Sequence, residues 1–255
     1  MKPQTFLQIA CLFAFVGCAG QTYRVDAGPM FIRARGEVAL ASSANNGKLD
    51  PPNANQSIDG NMGLGDTEPS PYLRFETNAD EHRFRVSGFL LDEDGDGVLA
   101  SPYGNIAAGT QVQTSMEFFA IRTNYAYQFL RNENWRLGIG GQVGWYSLDV
   151  AARAPGGREE VQTSVIVPMP FVEAEWLWRD LTVGANFGIM AGDLGDARGR
   201  YWDFEAYGNW QIDPDFGVKF GYRYLLLDGY GRATGRDFDA DVDVQGLFVT
   251  AGIRF

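Results

Sequence analysis

The most motif-like stretch of the chain is Leu91–Val98, LDEDGDGV, whose D-x-D-x-D-G spacing is that of the start of a calcium-binding EF-hand loop. An EF-hand also needs a bidentate Glu at its twelfth position and a helix on each side. With Asp92 as the first position, the twelfth is Tyr103, and the flanking segments alternate like strands. The sequence therefore excludes an EF-hand and predicts an acidic turn at the start of a long surface loop. We predict no metal site and no cofactor.

A hydrolytic site in which histidine activates a nucleophile or a water molecule needs that histidine beside a serine or an aspartate. The chain holds one histidine, His82, in a short polar turn between two alternating segments. We interpret His82 as a solvated turn residue. Asp203 and Glu205 stand two residues apart on one face of a segment, and we interpret them as salt-bridge partners. The sequence therefore predicts a protein that is not an enzyme.

Composition limits the partners. The 255 residues carry a net charge of −11 and contain no basic run, which argues against nucleic acid, because phosphate binding needs clustered Lys and Arg. Both cysteines, Cys11 and Cys18, lie near the N-terminus, so the rest of the chain has no disulfide. The stability of the predicted domain must come from its fold.

Residues 1–17 are predicted to be an export signal. The apolar run Phe6–Val16 is too short to span a bilayer as a helix and has the length of a signal core. The signal ends in a sequence that resembles a bacterial lipobox, in which Cys18 would be lipidated, although that pattern prefers Leu where Phe15 stands. An ordinary cleavage after Ala19 is the alternative. Palmitate labelling of Cys18→Ala would decide between them, and residues 18–255 are predicted to form one domain.

The rest of the chain alternates with a period of two in segments of about ten residues, and no second apolar run of about 20 residues follows. In the last segment Leu247, Val249, Ala251, Ile253 and Phe255 share one face, opposite small and polar residues. Such alternation is typical of strands with one apolar face. The predicted fold class is all-β, an antiparallel up-and-down transmembrane β-barrel.

The tryptophans favour a membrane barrel over a soluble sandwich or lipocalin. Trp202 and Trp210 share an apolar face eight residues apart, and Trp135 and Trp145 share another ten residues apart. With a rise of about 3.3 Å per residue and a tilt near 40°, each pair spans roughly 20 to 25 Å along the membrane normal. This separation fits two aromatic girdles. Pro168 and Pro170 share the apolar parity of their segment, so we expect both to face lipid and to mark a bend.

Ten strands are favoured, with eight possible. Their connections alternate between short turns, predicted to be periplasmic, and long stretches, predicted to be extracellular. The stretch from 42 to 70 is assigned no structure, and residues 92–110 are expected to form a loop. The predicted strands are 28–41, 71–78, 82–91, 111–130, 135–153, 160–178, 181–192, 199–212, 216–231 and 242–255.

The C-terminal end, GYRYLLLDGYGRATGRDFDADVDVQGLFVTAGIRF, resembles that of the small outer-membrane β-barrel proteins of Gram-negative bacteria, a class that includes OmpA-like and OmpW-like barrels. The resemblance covers residues 23–255 and implies localisation in the bacterial outer membrane, with lipid and lipopolysaccharide as surroundings. It also implies that the barrel-assembly machinery reads the terminal strand, here through Phe255, Ile253, Ala251 and Val249. It implies no particular activity and no oligomeric state.

The polar faces carry many charges, and a barrel of eight to ten strands has room inside for little more than side chains. Buried charges must be paired, so we predict a salt-bridged plug with cations mainly from the first four and last two strands and anions from the sixth and eighth. The predicted network is Arg33, Arg35, Glu37, Arg74, Arg83, Arg85, Arg122, Glu173, Glu175, Asp203, Glu205, Lys219 and Arg223, with Glu76, Arg136 and Arg254 on the same faces.

The function predicted from these features is that of a small outer-membrane barrel with a closed lumen and a structural or surface-interaction role. A narrow channel, or a carrier for small or hydrophobic solutes, is the alternative. An outer-membrane enzyme that modifies lipid is the third hypothesis.

Overall fold

The computed structural model describes residues 21–49, 55–194, 197–233 and 235–255, without the side chains of residues 193–198. Within these ranges the chain forms one antiparallel sheet of eleven strands, and no helix there is long and apolar enough to cross a membrane. The predicted signal and Cys18 lie outside the described residues. The strands are β1 (Gln21–Leu40), β2 (Gln56–Ser57), β3 (Glu68–Ala79), β4 (His82–Val98), β5 (Gln111–Arg131), β6 (Trp135–Ala154), β7 (Gly157–Trp178), β8 (Leu181–Leu194), β9 (Ala197–Gln211), β10 (Phe216–Ala233) and β11 (Arg236–Arg254).

The ten long strands close into a ring. Each pairs with its neighbours in the chain, and β11 pairs with β1 from Arg24↔Arg254 to Leu40↔Phe238. The two-residue β2 pairs only with β1, at Glu37↔Ser57. Because the ring is closed, it has no terminal edge strand. A transmembrane sheet requires such closure, because lipid cannot satisfy unpaired backbone groups. The predicted all-β barrel is confirmed.

One end of the barrel carries only short connections, at residues 80–81, 132–134, 179–180 and 212–215. We call this the turn end, and the opposite one the lid end. At the lid end the strands run further than predicted, and residues 92–98 belong to β4 rather than to a loop. β7, β10 and β11 likewise extend beyond their predicted bounds at this end, to Gly157, Ala233 and Arg236.

The outer wall at the turn end is apolar and bears all six tryptophans on its surface. Trp135, Trp176, Trp178 and Trp210 lie near the turns, while Trp145 and Trp202 lie further along their strands. These positions form the two predicted girdles. Between them the exposed side chains are apolar, including Ile139, Val143, Val172, Val183, Phe220, Leu247 and Val249.

Candidate functional site

The candidate site is the interior of the barrel, which is filled by charged residues in its turn-end half. In this half, seven cations and six anions of the described residues are buried on the inner face, a nearly balanced set. Buried charges need partners, because each costs several kcal/mol if left alone. The set is Arg24, Asp26, Arg74, Glu76, Arg83, Arg85, Arg122, Glu173, Glu175, Asp203, Glu205, Lys219 and Arg223. We call it the plug.

At the level of mid-barrel the plug is built on two anions of β9, Asp203 and Glu205. Arg122 on β5 binds both, with Nη1 at 3.0 Å from Asp203 Oδ1 and Nη2 at 2.5 Å from Glu205 Oε2. Arg74 donates to Glu205 at 2.6 Å, and Arg223 donates to Asp203 at 2.8 Å. These five side chains join β3, β5, β9 and β10 across the lumen with charge-assisted hydrogen bonds, the stronger kind.

Nearer the turns, Arg83 on β4 joins two anions of β7. Its Nη2 lies 2.7 Å from Glu175 and its Nη1 lies 3.2 Å from Glu173. Arg85 donates to Glu76 at 3.2 Å and lies 3.4 Å from Glu173. The cations come from β4 and the anions from β3 and β7, so this layer also holds opposite walls together.

Two inner residues of β1 that the sequence reasoning missed complete the plug. Asp26 accepts from Arg24 at 2.7 Å and from Lys219 of β10 at 3.0 Å. Neutral polar side chains support the ions, as Gln142 donates to Asp203 at 2.9 Å and Tyr207 donates to Glu175 at 2.5 Å. The sequence did contain an indication of this, because Arg24 and Asp26 alternate with outward-facing residues and lie on the same face of β1 as Gly28.

Beyond this level the lumen is apolar up to the lid end. Arg223 marks the change, since its guanidinium lies 5.2 Å from the centre of the Phe89 ring. Above it the inner faces of the long strands other than β8 carry buried hydrophobic side chains, and β8 adds the partly buried Met190. We call this the apolar core; it includes Met30, Ile32, Tyr72, Leu91, Met116, Phe118, Tyr146, Leu148, Val167, Met169, Tyr201, Leu225, Val244 and Phe248.

Two loop segments, Gln56–Leu64 and Leu99–Ile106, cover the apolar core and form what we call the lid. They bury their own apolar side chains in the core, among them Ile58, Met62 and Tyr103. The Tyr103 hydroxyl donates to the carbonyl of Val150 at 3.1 Å. The lid therefore closes the end of the barrel with both packing and hydrogen bonds.

The stretch that resembled a calcium loop is the seat of the lid. On β4 the aspartates face outward while Gly95 and Gly97 face inward. A Cβ on Gly95 would lie 2.2 Å from the carbonyl oxygen of Gly63, and one on Gly97 would lie 2.1 Å from that of Asn61. Only glycine allows this approach of two backbones. Among the described residues, no group of three or more His, Cys, Asp or Glu is placed to hold a metal ion.

Glu93, on the same inner face, fixes the lid by hydrogen bonds. Its carboxylate accepts from the backbone N–H of Gly65 and, at 2.7 Å, from that of Asp66. Burial raises the pKa of Glu93, and the neighbouring charges of Asp66 and Glu68 raise it further, against these hydrogen bonds. This carboxyl lies beyond the outer girdle, at the level of the lid.

The structure places most, but not all, of the predicted network in the lumen. Arg33, Arg35 and Glu37 were predicted to point inward, and this is wrong: they lie on the outer face of β1, because Ile32 and Ala34 occupy the apolar core. Arg136 is half-exposed at the turn end, 3.5 Å from Glu175, and Arg254 is exposed. The other ten positions of the predicted network, and Glu76, are buried on the inner face.

The remaining predicted residues lie on the outer wall. His82 is exposed at the turn end, and its Nδ1 lies 2.8 Å from the Tyr125 hydroxyl. Pro168 and Pro170 are exposed on β7. Phe255 is exposed beside β1, where its backbone N–H and C=O pair with those of Tyr23 at 2.9 Å. Val249, Ala251 and Ile253 are exposed on the same face of β11.

No protein-family model matches the chain, and no curated protein matches it in sequence. Among solved structures, the outer membrane protease OmpT from Escherichia coli aligns over 95% of this chain and 99% of its own, with 11% identity and a TM-score of 0.50. Ail, the attachment invasion locus protein of Yersinia pestis, aligns over 92% of this chain and 99% of its own, with 10% identity and a TM-score of 0.40. The chain has the fold of an outer-membrane β-barrel.

Proposed function

We propose that this outer-membrane barrel is a closed, non-conducting protein with a structural or surface-interaction role. The observation that supports the proposal is that the lumen is filled along its length. Paired ions occupy the turn-end half, hydrophobic side chains occupy the other half, and the lid covers the end. A path for solutes would have to break buried ion pairs and displace packed side chains together.

The lid end also offers a surface for interaction. An open groove of about 610 Å³ lies between the lid and the ends of β4 and β5, lined by Asn61, Asp96, Val98, Leu99 and Gln111 among others. Strand ends at this level carry outward-facing carboxylates, so the exposed rim is acidic. We place the interacting surface here because the turn end carries only short connections.

Planar-bilayer recording of the purified full chain tests the closed lumen. We expect no stable open state in the nanosiemens range. The matched positive control is Arg122→Ala together with deletion of the lid segment Gln56–Leu64, which removes material from both halves. A steady pore in the wild-type chain would favour the narrow channel instead.

A non-enzymatic role is part of the proposal. Expression of the chain in a Gram-negative host is expected to leave the lipid A profile unchanged, and a new acylated or deacylated species would contradict it. Fractionation with cold-gel electrophoresis provides the companion measurement. We expect an outer-membrane band with a heat-dependent mobility, and a variant lacking Phe255 is expected to assemble more slowly if the assembly machinery reads that end.

A further inference from the structure

The wall of the barrel is interrupted between β7 and β8. These strands pair from Trp178↔Leu181 to Phe171↔Gly188, and the pairing of the described residues ends there. On its other side β7 pairs with β6 as far as Ala154↔Gly157, and β8 pairs with β9 as far as Leu194↔Ala197. Residues 165–170 and 189–194 thus border a gap, which we call the β7–β8 gap.

Two prolines explain where the pairing ends. Leu177 donates its N–H toward β6, to Asn134 at 2.7 Å, and β7 pairs with β6 without a register shift. Even-numbered residues of β7 therefore direct their backbone groups toward β8. Pro168 and Pro170 are even-numbered and have no N–H to donate. In the register of the paired part, Pro170 would stand opposite Ile189, the first residue of β8 that β7 leaves unpaired.

The gap begins at the depth of the outer leaflet. Pro170 lies six residues from the girdle residue Trp176, roughly 15 Å along the membrane normal. Ile166 stands opposite Trp145 of the outer girdle. Unpaired backbone donors are costly in hydrocarbon, and prolines carry none. The β7 border of the lower part of the gap is therefore suited to contact with hydrocarbon, while the N–H group of Ile166 faces the gap higher up.

Side chains at the gap are less enclosed than elsewhere at this level. Val165 and Met190, on the inner faces of β7 and β8, are only partly buried against the apolar core, as is Ala154 at the far end of β6. On the outer face, Ile166 is 65% exposed, the highest value among the large hydrophobic residues of the described chain. Lipid on the outside of the barrel can therefore contact apolar side chains within the gap.

A second proline pair in the same barrel provides a comparison. Pro69 and Pro71 lie on the outer face of β3, and the pairing of β3 with β4 ends just below them, at Tyr72↔Phe89. By the same reasoning, the backbone nitrogens of Pro69 and Pro71 face β4 and have no N–H to donate to it. Both interruptions are therefore built in the same way.

At the β3–β4 position the chain closes its own gap. The Ser70 hydroxyl donates to the carbonyl of Leu90 and accepts from its N–H at 3.3 Å. The N–H groups of Gly65 and Asp66 bind Glu93 just above. No comparable bridge spans the β7–β8 gap among the described residues.

We propose that the β7–β8 gap binds the hydrocarbon chain of an outer-leaflet lipid. The chain lies against Pro168 and Pro170 and reaches Val165 and Met190. An ester oxygen of the lipid accepts from the N–H group of Ile166 above. This site rests on the membrane placement proposed above, and it adds a lipid ligand to a barrel whose lumen stays closed.

The test uses the full chain in vesicles of phosphatidylcholine that include a phosphatidylcholine with a diazirine in its acyl chain. After irradiation, adducts are mapped to residues by mass spectrometry. We expect adducts at Val165 and Met190 at about ten times the yield found at Leu225, a core residue on strands with continuous pairing; tenfold corresponds to about 1.4 kcal/mol. Adducts at Leu247 and Val249 report membrane insertion separately.

Matched double variants test the role of the prolines. Pro168→Val with Pro170→Val restores two donors toward β8 and is expected to lower the adducts at Val165 and Met190 about tenfold. Pro69→Val with Pro71→Val is expected to leave them unchanged, because Ser70 and the lid already close that position. Heat-dependent mobility checks folding, and the single variant Pro170→Val serves if the double variant does not fold.

The outcomes separate the two proposals. Adducts at Leu247 and Val249 without any at Val165 or Met190 would overturn the lipid site and leave the membrane placement intact. Equal adducts with and without Pro168 and Pro170 would also overturn it. An absence of adducts at every position would contradict the membrane placement itself.

Discussion

The two halves of the barrel fill the lumen with opposite chemistry. In the turn-end half, paired ions lie inside and apolar residues lie outside. In the lid-end half, hydrophobic side chains lie inside and carboxylates lie outside, as on β11 with Asp239, Asp241 and Asp243. The inner and outer faces exchange character together, close to the outer girdle.

The surroundings explain the exchange. Where the outer wall faces lipid, moving an apolar side chain from outside to inside gains nothing, because lipid is as apolar as the lumen. Polar side chains then fill the interior and bind one another. Where the wall faces water, burial of apolar surface contributes about 25 cal/mol per Å². The lid end is thus built like a soluble barrel, set on a membrane barrel.

The largest effect is expected from breaking an ion pair in the turn-end half. Arg122→Ala leaves Asp203 and Glu205 with fewer partners in a buried site and is expected to lower the free energy of unfolding by about 3 to 5 kcal/mol. Arg200→Ala, which removes an exposed partner of Asp228, is the control, with an expected loss of at most about 1 kcal/mol. Urea unfolding in phospholipid vesicles measures both, and equal losses would contradict the plug.

The corresponding test of the lid-end half creates a cavity in the apolar core. Leu225→Ala removes most of a fully buried side chain and is expected to lower the free energy of unfolding by about 3 kcal/mol. Leu225→Met is expected to lower it by less than about 1.5 kcal/mol. The same unfolding measurement applies. Equal losses in the two variants would mean that this half is not closely packed.

The seat of the lid is expected to respond locally rather than globally. Gly95→Val places a side chain against the backbone of Gly63 and is expected to weaken the packing of the lid on β4 by about 1 to 3 kcal/mol. Proteolysis between Gln56 and Leu64 is therefore expected to be faster. Gly156→Ala, where a Cβ meets nothing within 4 Å, is the control. Unchanged cleavage in Gly95→Val would contradict the close approach of the two backbones.

The smallest effect concerns the acidic outer wall of the lid-end half. Burial, followed by the charge of Glu160, raises the pKa of Asp149 from 3.8 to about 6. The folded protein therefore binds this proton more tightly than the unfolded chain, and stability increases as the pH falls from about 6 toward 3.8. In Asp149→Asn we expect a smaller increase over this range and a higher stability at pH 7. A pH series of urea unfolding curves for both proteins provides the comparison.

The exchange of faces also explains what the sequence predicted well and where it failed. Alternation located the ten long strands, the tryptophan girdles and most of the plug, since all of these depend on period two at membrane depth. Applied to β1, the rule that polar means inward fails beyond the girdle, so Arg33, Arg35 and Glu37 were placed inside. Arg24 and Asp26 were missed because the first strand was predicted to begin at residue 28, whereas β1 begins at Gln21.

The lid was not predictable from its local sequence. Ile58, Met62 and Leu64 are spaced irregularly among Asn, Gly and Asp residues, so the stretch reads as an unstructured loop. These side chains acquire their role only when an apolar lumen is already present below them. The gap between β7 and β8 was only partly predictable, because Pro168 and Pro170 indicated a bend without indicating which neighbour would be lost.

The ion pairs of the plug join residues that are far apart in the chain. Lys219 and Asp26 are 193 positions apart, and Arg122 and Glu205 are 83 apart. Such contacts form late, because long loops must close before they give any stabilisation. Until the strands come together around the lumen, these charges lack the partners that lie across it, and inserting them into lipid is unfavourable. Ring closure and insertion should therefore be one concerted kinetic step, and half-built barrels should remain at the membrane surface.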